Sequence, residues 1–108
     1  MQIEVKIKEI IEDVVAQNGY TLDSVFLFGS RARGDFEKDS DYDILIIVKE
    51  EIPIVVKKNL RAKISAALHK EIKFVPFDII VKSLKTFMEE REVVNTISSE
   101  VAMEGKQL

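Results

Sequence analysis

Apolar residues fall in two alternating rhythms along this chain, and the rhythms locate most of its elements. Ile3, Ile7, Ile10, Ile11, Val14 and Val15 recur at spacings of three and four, with Glu and Lys between them. That spacing predicts an amphipathic helix over 3–18, and Asn18-Gly19 supplies its stop. Residues 24–28 form a short, continuous run of β-branched and aromatic type, which reads as a buried strand. The pattern then breaks across 29–41, a polar loop with room for one helical turn after Ser30. A second strand is predicted from Tyr42 to Val48.

Pro53 suits the first turn of a second long helix. Val56, Leu60, Ile64, Ala67 and Leu68 supply its apolar stripe. A third strand is expected from about Phe74 to Val81, with Pro76 putting its start or its location at a free edge. Two helical segments, near 83–92 and 93–104, complete the pattern, and Gly105 sits where a C-cap glycine belongs. No linker, repeat or low-complexity tract interrupts the order. Helix–strand–loop–strand–helix–strand–helix predicts an α/β (α+β) domain with a small mixed sheet of three to four strands flanked by helices. The expectation is one domain over 1–108.

Composition narrows the chemistry. With 108 residues the chain has little area for a deep pocket, so an open cleft, or one completed by a partner, is expected. The absence of cysteine excludes thiol catalysis and thiolate-bound zinc, and a single histidine, His69, excludes a histidine-rich metal site. A net charge of −3 gives no general attraction for nucleic acid. No segment is long and apolar enough to span a membrane, and the start of the chain does not read as a signal peptide; a cytoplasmic location is expected.

The chemistry concentrates between Gly29 and Asp43. Asp41 and Asp43 open a strand at i and i+2, so both carboxylates project from one face, their backbones about 6–7 Å apart. Hard oxygen ligands at that spacing suit Mg²⁺ together with substrate phosphates, or a pair of ions bridged for in-line phosphoryl displacement. The third strand repeats the design of the second: Asp78 followed by Ile79-Ile80-Val81 matches Asp43 followed by Ile44-Leu45-Ile46. If the strands are neighbours, Asp78 joins the pair, and a divalent cation would offset the repulsion. Gly29 permits close backbone approach, Ser30 offers a hydroxyl and an amide to phosphate, and Arg31 and Arg33 offer cationic forks to a triphosphate.

Gly29-Ser30, ten residues, then Asp41-x-Asp43 resembles the signature of the nucleotidyltransferase superfamily related to DNA polymerase beta. The loop Gly29-Ser30-Arg31-Ala32-Arg33-Gly34, the segment Ser40-Asp41-Tyr42-Asp43 and the Glu104-Gly105 ending are similar to the minimal nucleotidyltransferase (MNT) antitoxins, the small partners of HEPN-domain toxins. The resemblance implies transfer of AMP from ATP to a tyrosine of a HEPN toxin. Asp41, Asp43 and Asp78 would hold two Mg²⁺ ions, and Asp78 would also help deprotonate the hydroxyl. Gly29 and Ser30 would hold the triphosphate, and Arg31 or Arg33 would stabilise pyrophosphate. The competing reading is a non-catalytic module that neutralises its partner by masking it. Neither reading fixes the oligomeric state, the number of AMP units transferred or Mg²⁺ over Mn²⁺.

Other features have plain explanations. Asp35 and Asp39 read as solvated loop acids, and Tyr42 as core. Lys57, Lys58, Arg61, Lys63, Lys70 and Lys73 read as a solvated helix face, with a docking surface for an acidic partner or RNA as the alternative. The acidic stretch containing Glu89, Glu90, Glu92, Glu100 and Glu104 carries Val94, Ile97 and Val101 at helical spacing, for packing on the domain or on a partner.

Overall fold

The computed structural model describes residues 2–38 and 40–108. Asp39, read above as a solvated loop acid, lies outside them. Helix α1 (Ile3–Gln17) leads through Gly19, at φ +83°, into β1 (Leu22–Phe28). A single helical turn, α2 (Ser30–Arg33), precedes β2 (Tyr42–Val48). Helix α3 (Ile54–Glu71) crosses to β3 (Phe77–Ser83), followed by α4 (Leu84–Glu90), α5 (Ile97–Glu104) and a two-residue β4 (Lys106–Gln107).

The sheet runs β3-β2-β1-β4. β1 pairs antiparallel with both β2 and β4, whereas β2 and β3 run parallel, as a helical crossover requires. The sheet is therefore mixed and four-stranded, as expected.

Strand alternation divides the interior into two clusters. On one face Val25, Leu27, Ile44, Ile46, Val48, Ile79 and Val81 meet Ile7, Ile11 and Val15 of α1 and Leu60, Ile64 and Leu68 of α3. On the other, Phe28, Leu45 and Ile47 meet Phe87 of α4 and Val101 of α5. The central strand β2 is buried on both faces, which is why it reads as an unbroken aliphatic run.

Several boundaries move. β1 begins at Leu22, two residues before the expected start, with a bulge between Leu22 and Ser24. β3 spans 77–83 instead of 74–81: Phe74 adopts φ +63° and stands exposed, and Pro76 sits just before the strand. The last two helices are shorter than expected and separated by turns over 91–96. Ser83 and Thr96 cap them, accepting from the Thr86 and Ser99 amides at 3.1 and 3.0 Å. Gly105 is not a left-handed cap: its φ is −66°. A side chain there would meet the Val101 carbonyl oxygen at 2.5 Å, so the glycine serves close approach.

Candidate active site

Two pairings gather the acids. Antiparallel register sets Phe28, the last residue of β1, opposite Asp43. Parallel register sets Asp43 opposite Asp78, which puts their backbones about 4.8 Å apart with both side chains on the same face. Asp41, two positions before Asp43, starts from that face too. All three occupy one end of the sheet, on the side that α4 and α5 partly cover. A charge within an apolar strand is costly when buried, but Asp78 lies near the start of β3 and is exposed, so burial costs it little.

Asp43 is the enclosed member. Burial pushes its carboxyl above the ordinary range, and the nearby carboxylates of Asp78, Asp41 and Glu100 add to that shift; Arg33 pulls the other way. Mutual repulsion of this kind is the setting that a divalent cation relieves, and the donors are the hard oxygens such an ion takes. Among the described residues no three metal-ligating side chains close into a ready-made shell, so the arrangement is an open one.

Gly29 connects β1 to this cluster. Its φ of +68° and ψ of −150° belong to a region that is essentially glycine-only. A Cβ at this position would collide with Asp43 Oδ2 and lie 3.3 Å from its Cγ. The glycine thus lets backbone and carboxylate approach. The turn α2 starts one residue later, its Ala32 and Arg33 amides donating to the Gly29 carbonyl at 3.1 and 3.2 Å.

The two arginines differ. Arg31 folds back on its own loop, donating to the carbonyls of Ser40 (2.9 Å) and Lys38 (3.3 Å). Its guanidinium lies 4.4 Å from the Phe36 ring centroid and 4.1 Å from that of Tyr42. Arg33 is exposed, 3.3 Å from Asp35, and is the cation that Asp43 feels. Tyr42 is buried in the α1/α3 core, stacked with Phe77 at 5.7 Å, as expected of core.

Nothing in the local pattern of residues singles out Glu100. It stands on α5, between Ile97 and Val101, which pack toward the sheet, and it accepts a hydrogen bond from the Gly29 amide at 3.2 Å. It is one acid among five in that stretch, and only the packing of α5 selects it.

Comparison with known proteins decides the family. A family model described as "Nucleotidyltransferase domain" matches residues 7–102. The chain belongs to this nucleotidyltransferase family. A Methanocaldococcus jannaschii relative, assigned as a protein adenylyltransferase, is 41% identical over 95 residues, covering 85% of this chain and 94% of the relative. With these two matches, the chain is a nucleotidyltransferase. Solved structures share the fold. A chain described as a minimal nucleotidyltransferase has a TM-score of 0.57 at 24% identity, covering all of this chain and 97% of that one. A chain from the tri-AMPylated Shewanella oneidensis HEPN toxin in complex with MNT antitoxin has a TM-score of 0.55 at 20% identity, covering 96% and 69%. A toxin–antitoxin structure with AMP-PNP has a TM-score of 0.56 at 22% identity, covering 93% and 70%. The resemblance to MNT proteins therefore extends from the motif to the fold.

Proposed function

We propose that this nucleotidyltransferase moves AMP from ATP onto a tyrosine hydroxyl of a HEPN-type toxin and thereby acts as its antitoxin. The observation that carries the reading is the register pairing of Asp43 with Asp78, beside a glycine that lets the backbone close on Asp43. An arrangement of this kind serves a reaction at an α-phosphate better than it serves masking.

Asp41, Asp43 and Asp78 would hold Mg²⁺, which when bound neutralises phosphate charge and activates the nucleophile. The Ser30 hydroxyl and amide receive triphosphate oxygens. Arg33 is the better placed of the two arginines to meet pyrophosphate, because Arg31 is committed to loop carbonyls. Asp78 takes the tyrosine proton. The tyrosine oxygen forms a bond to the α-phosphorus, and the bond from that phosphorus to the bridging oxygen breaks, releasing pyrophosphate. Glu100 must release the Gly29 amide if that amide is to meet a phosphate.

The test is transfer of label from α-labelled ATP, with Mg²⁺, to the protein encoded by the neighbouring reading frame, which this reading expects to be a HEPN toxin. Labelled tyrosine is expected, and none with the Asp41→Asn/Asp43→Asn variant. Label transfer that survives the double variant would overturn the catalytic assignment. Neutralisation by the double variant at equal expression would favour masking.

A further inference from the structure

β3 ends the sheet, so one side of its backbone pairs with β2 and the other faces outward. An uncovered edge is a template for another extended chain. Here the edge forms the floor of a groove of about 330 Å³, running from Ile79 to Lys82. Lys57, Lys58 and Arg61 of α3 make one wall, and Thr86 and Glu90 of α4 the other. Arg61 and Ile79 also bound an adjoining hollow of about 310 Å³ that reaches Asp78. The groove thus runs along the strand into the acid cluster.

Charge selects the occupant. Among the described residues, Lys57, Lys58 and Arg61 make no ion pair within 4.0 Å. The one acid in the wall, Glu90, is engaged by Lys82 and by Ser98, and Lys57 lies near enough for its charge to act on it. The groove is cationic on a chain whose net charge is −3. A second copy pairing edge to edge would bring two sets of these cations together. RNA would meet the charge, but it lacks the alternating amides and carbonyls that a strand edge recognises.

We propose that the free edge of β3 docks an extended, acidic segment of the acceptor protein by strand addition. The segment's carboxylates lie against Lys57, Lys58 and Arg61, and its backbone pairs with β3. At about 3.3 Å per residue, a side chain a few positions beyond the anchored stretch reaches Asp78. This reading rests on the adenylyl transfer proposed above, for which it names the docking surface of the acceptor.

The probe is a fluorescein-labelled decapeptide of alternating Glu and Val around one Tyr, titrated with the full chain and followed by anisotropy. Saturable binding is expected, weakened by at least about tenfold in Lys57→Glu/Lys58→Glu/Arg61→Glu, with a smaller loss in Arg61→Ala as a milder check that the fold is intact. The same peptide with Lys for Glu, or with alternate backbone amides methylated, is expected not to bind. No binding of the acidic peptide, equal binding of the methylated one, or tighter binding of a uridine decamer would overturn the proposal. The two readings separate in a second assay. Transfer to the HEPN protein with a KM unchanged by the triple substitution removes the docking surface and leaves the chemistry standing. Peptide binding that persists in Asp41→Asn/Asp43→Asn, without any transfer by the unmodified chain, does the reverse.

Discussion

The two faces of the sheet are built for different ends. On the α1/α3 side the aliphatic cluster runs the length of the strands, and Ile7, Ile11, Ile44, Ile46, Ile64 and Leu68 are fully buried. On the α4/α5 side the cluster is smaller and stops short: beyond Leu45 the same face of β2 carries Asp43, and Asp41 lies further out. One face holds the fold, and the other gives up apolar contact at one end to hold charges. The teaching is that strand alternation lets a single strand do both, because neighbouring residues never share a face.

The largest effect should come from the open face. Asp41→Asn/Asp43→Asn is expected to lower AMP transfer by about a thousandfold or more, as loss of several kcal/mol of charge stabilisation would, while circular dichroism stays unchanged. The sealed face should respond in the opposite way: Ile46→Ala is expected to cost about 2–5 kcal/mol in denaturant unfolding. Activity per folded molecule should then remain. If Ile46→Ala abolished transfer in fully folded protein, the division between faces would fail.

Gly29→Ala tests the junction. The backbone cost there is about 1–3 kcal/mol, and the Cβ displaces the Asp43 carboxylate; transfer should fall further than stability explains. The arginines should split. Arg31→Ala loses its contacts with Phe36 and Tyr42 and should destabilise by about 0.5–2 kcal/mol. Arg33→Ala should leave the melting temperature unchanged and raise KM for ATP.

The smallest effect is a pH dependence. Folding raises the Asp43 carboxyl above its ordinary 3.8. A raised acid contributes stability in full below its unfolded value and loses it as pH climbs through the folded one. Ionised Asp43 is therefore a net cost at neutral pH. Asp43→Asn should melt higher than the parent there, with the advantage fading below the unfolded value, as read by calorimetry across that range. Added Mg²⁺ should raise the parent's melting temperature at neutral pH and have little effect on the variant.

Much of this was legible in the chain. The helical spacing of Ile3 to Val15 and the aliphatic run of β2 gave their elements within a residue or two, because both report burial directly. Asp41 and Asp43 share a face by strand period alone, and the likeness of β2 and β3 pointed to the neighbourhood of Asp43 and Asp78. What local pattern could not show was long-range packing. β4 has only two exposed residues and no apolar signature. The start of β3 is displaced by Phe74, whose exposed position no periodicity reveals. Glu100 is chosen by where α5 lies, and Arg31 by where its loop folds back.

The parallel pairing of β2 with β3 has a consequence for biosynthesis. Antiparallel β1 and β2 can meet as soon as both have emerged from the ribosome, but Asp78 reaches Asp43 only after the whole of α3 has been made and folded across the sheet. A nascent or truncated chain lacking that crossover carries the complete Gly-Ser/Asp-x-Asp signature yet only part of the carboxylate set, so the order of synthesis itself delays assembly of the acid cluster.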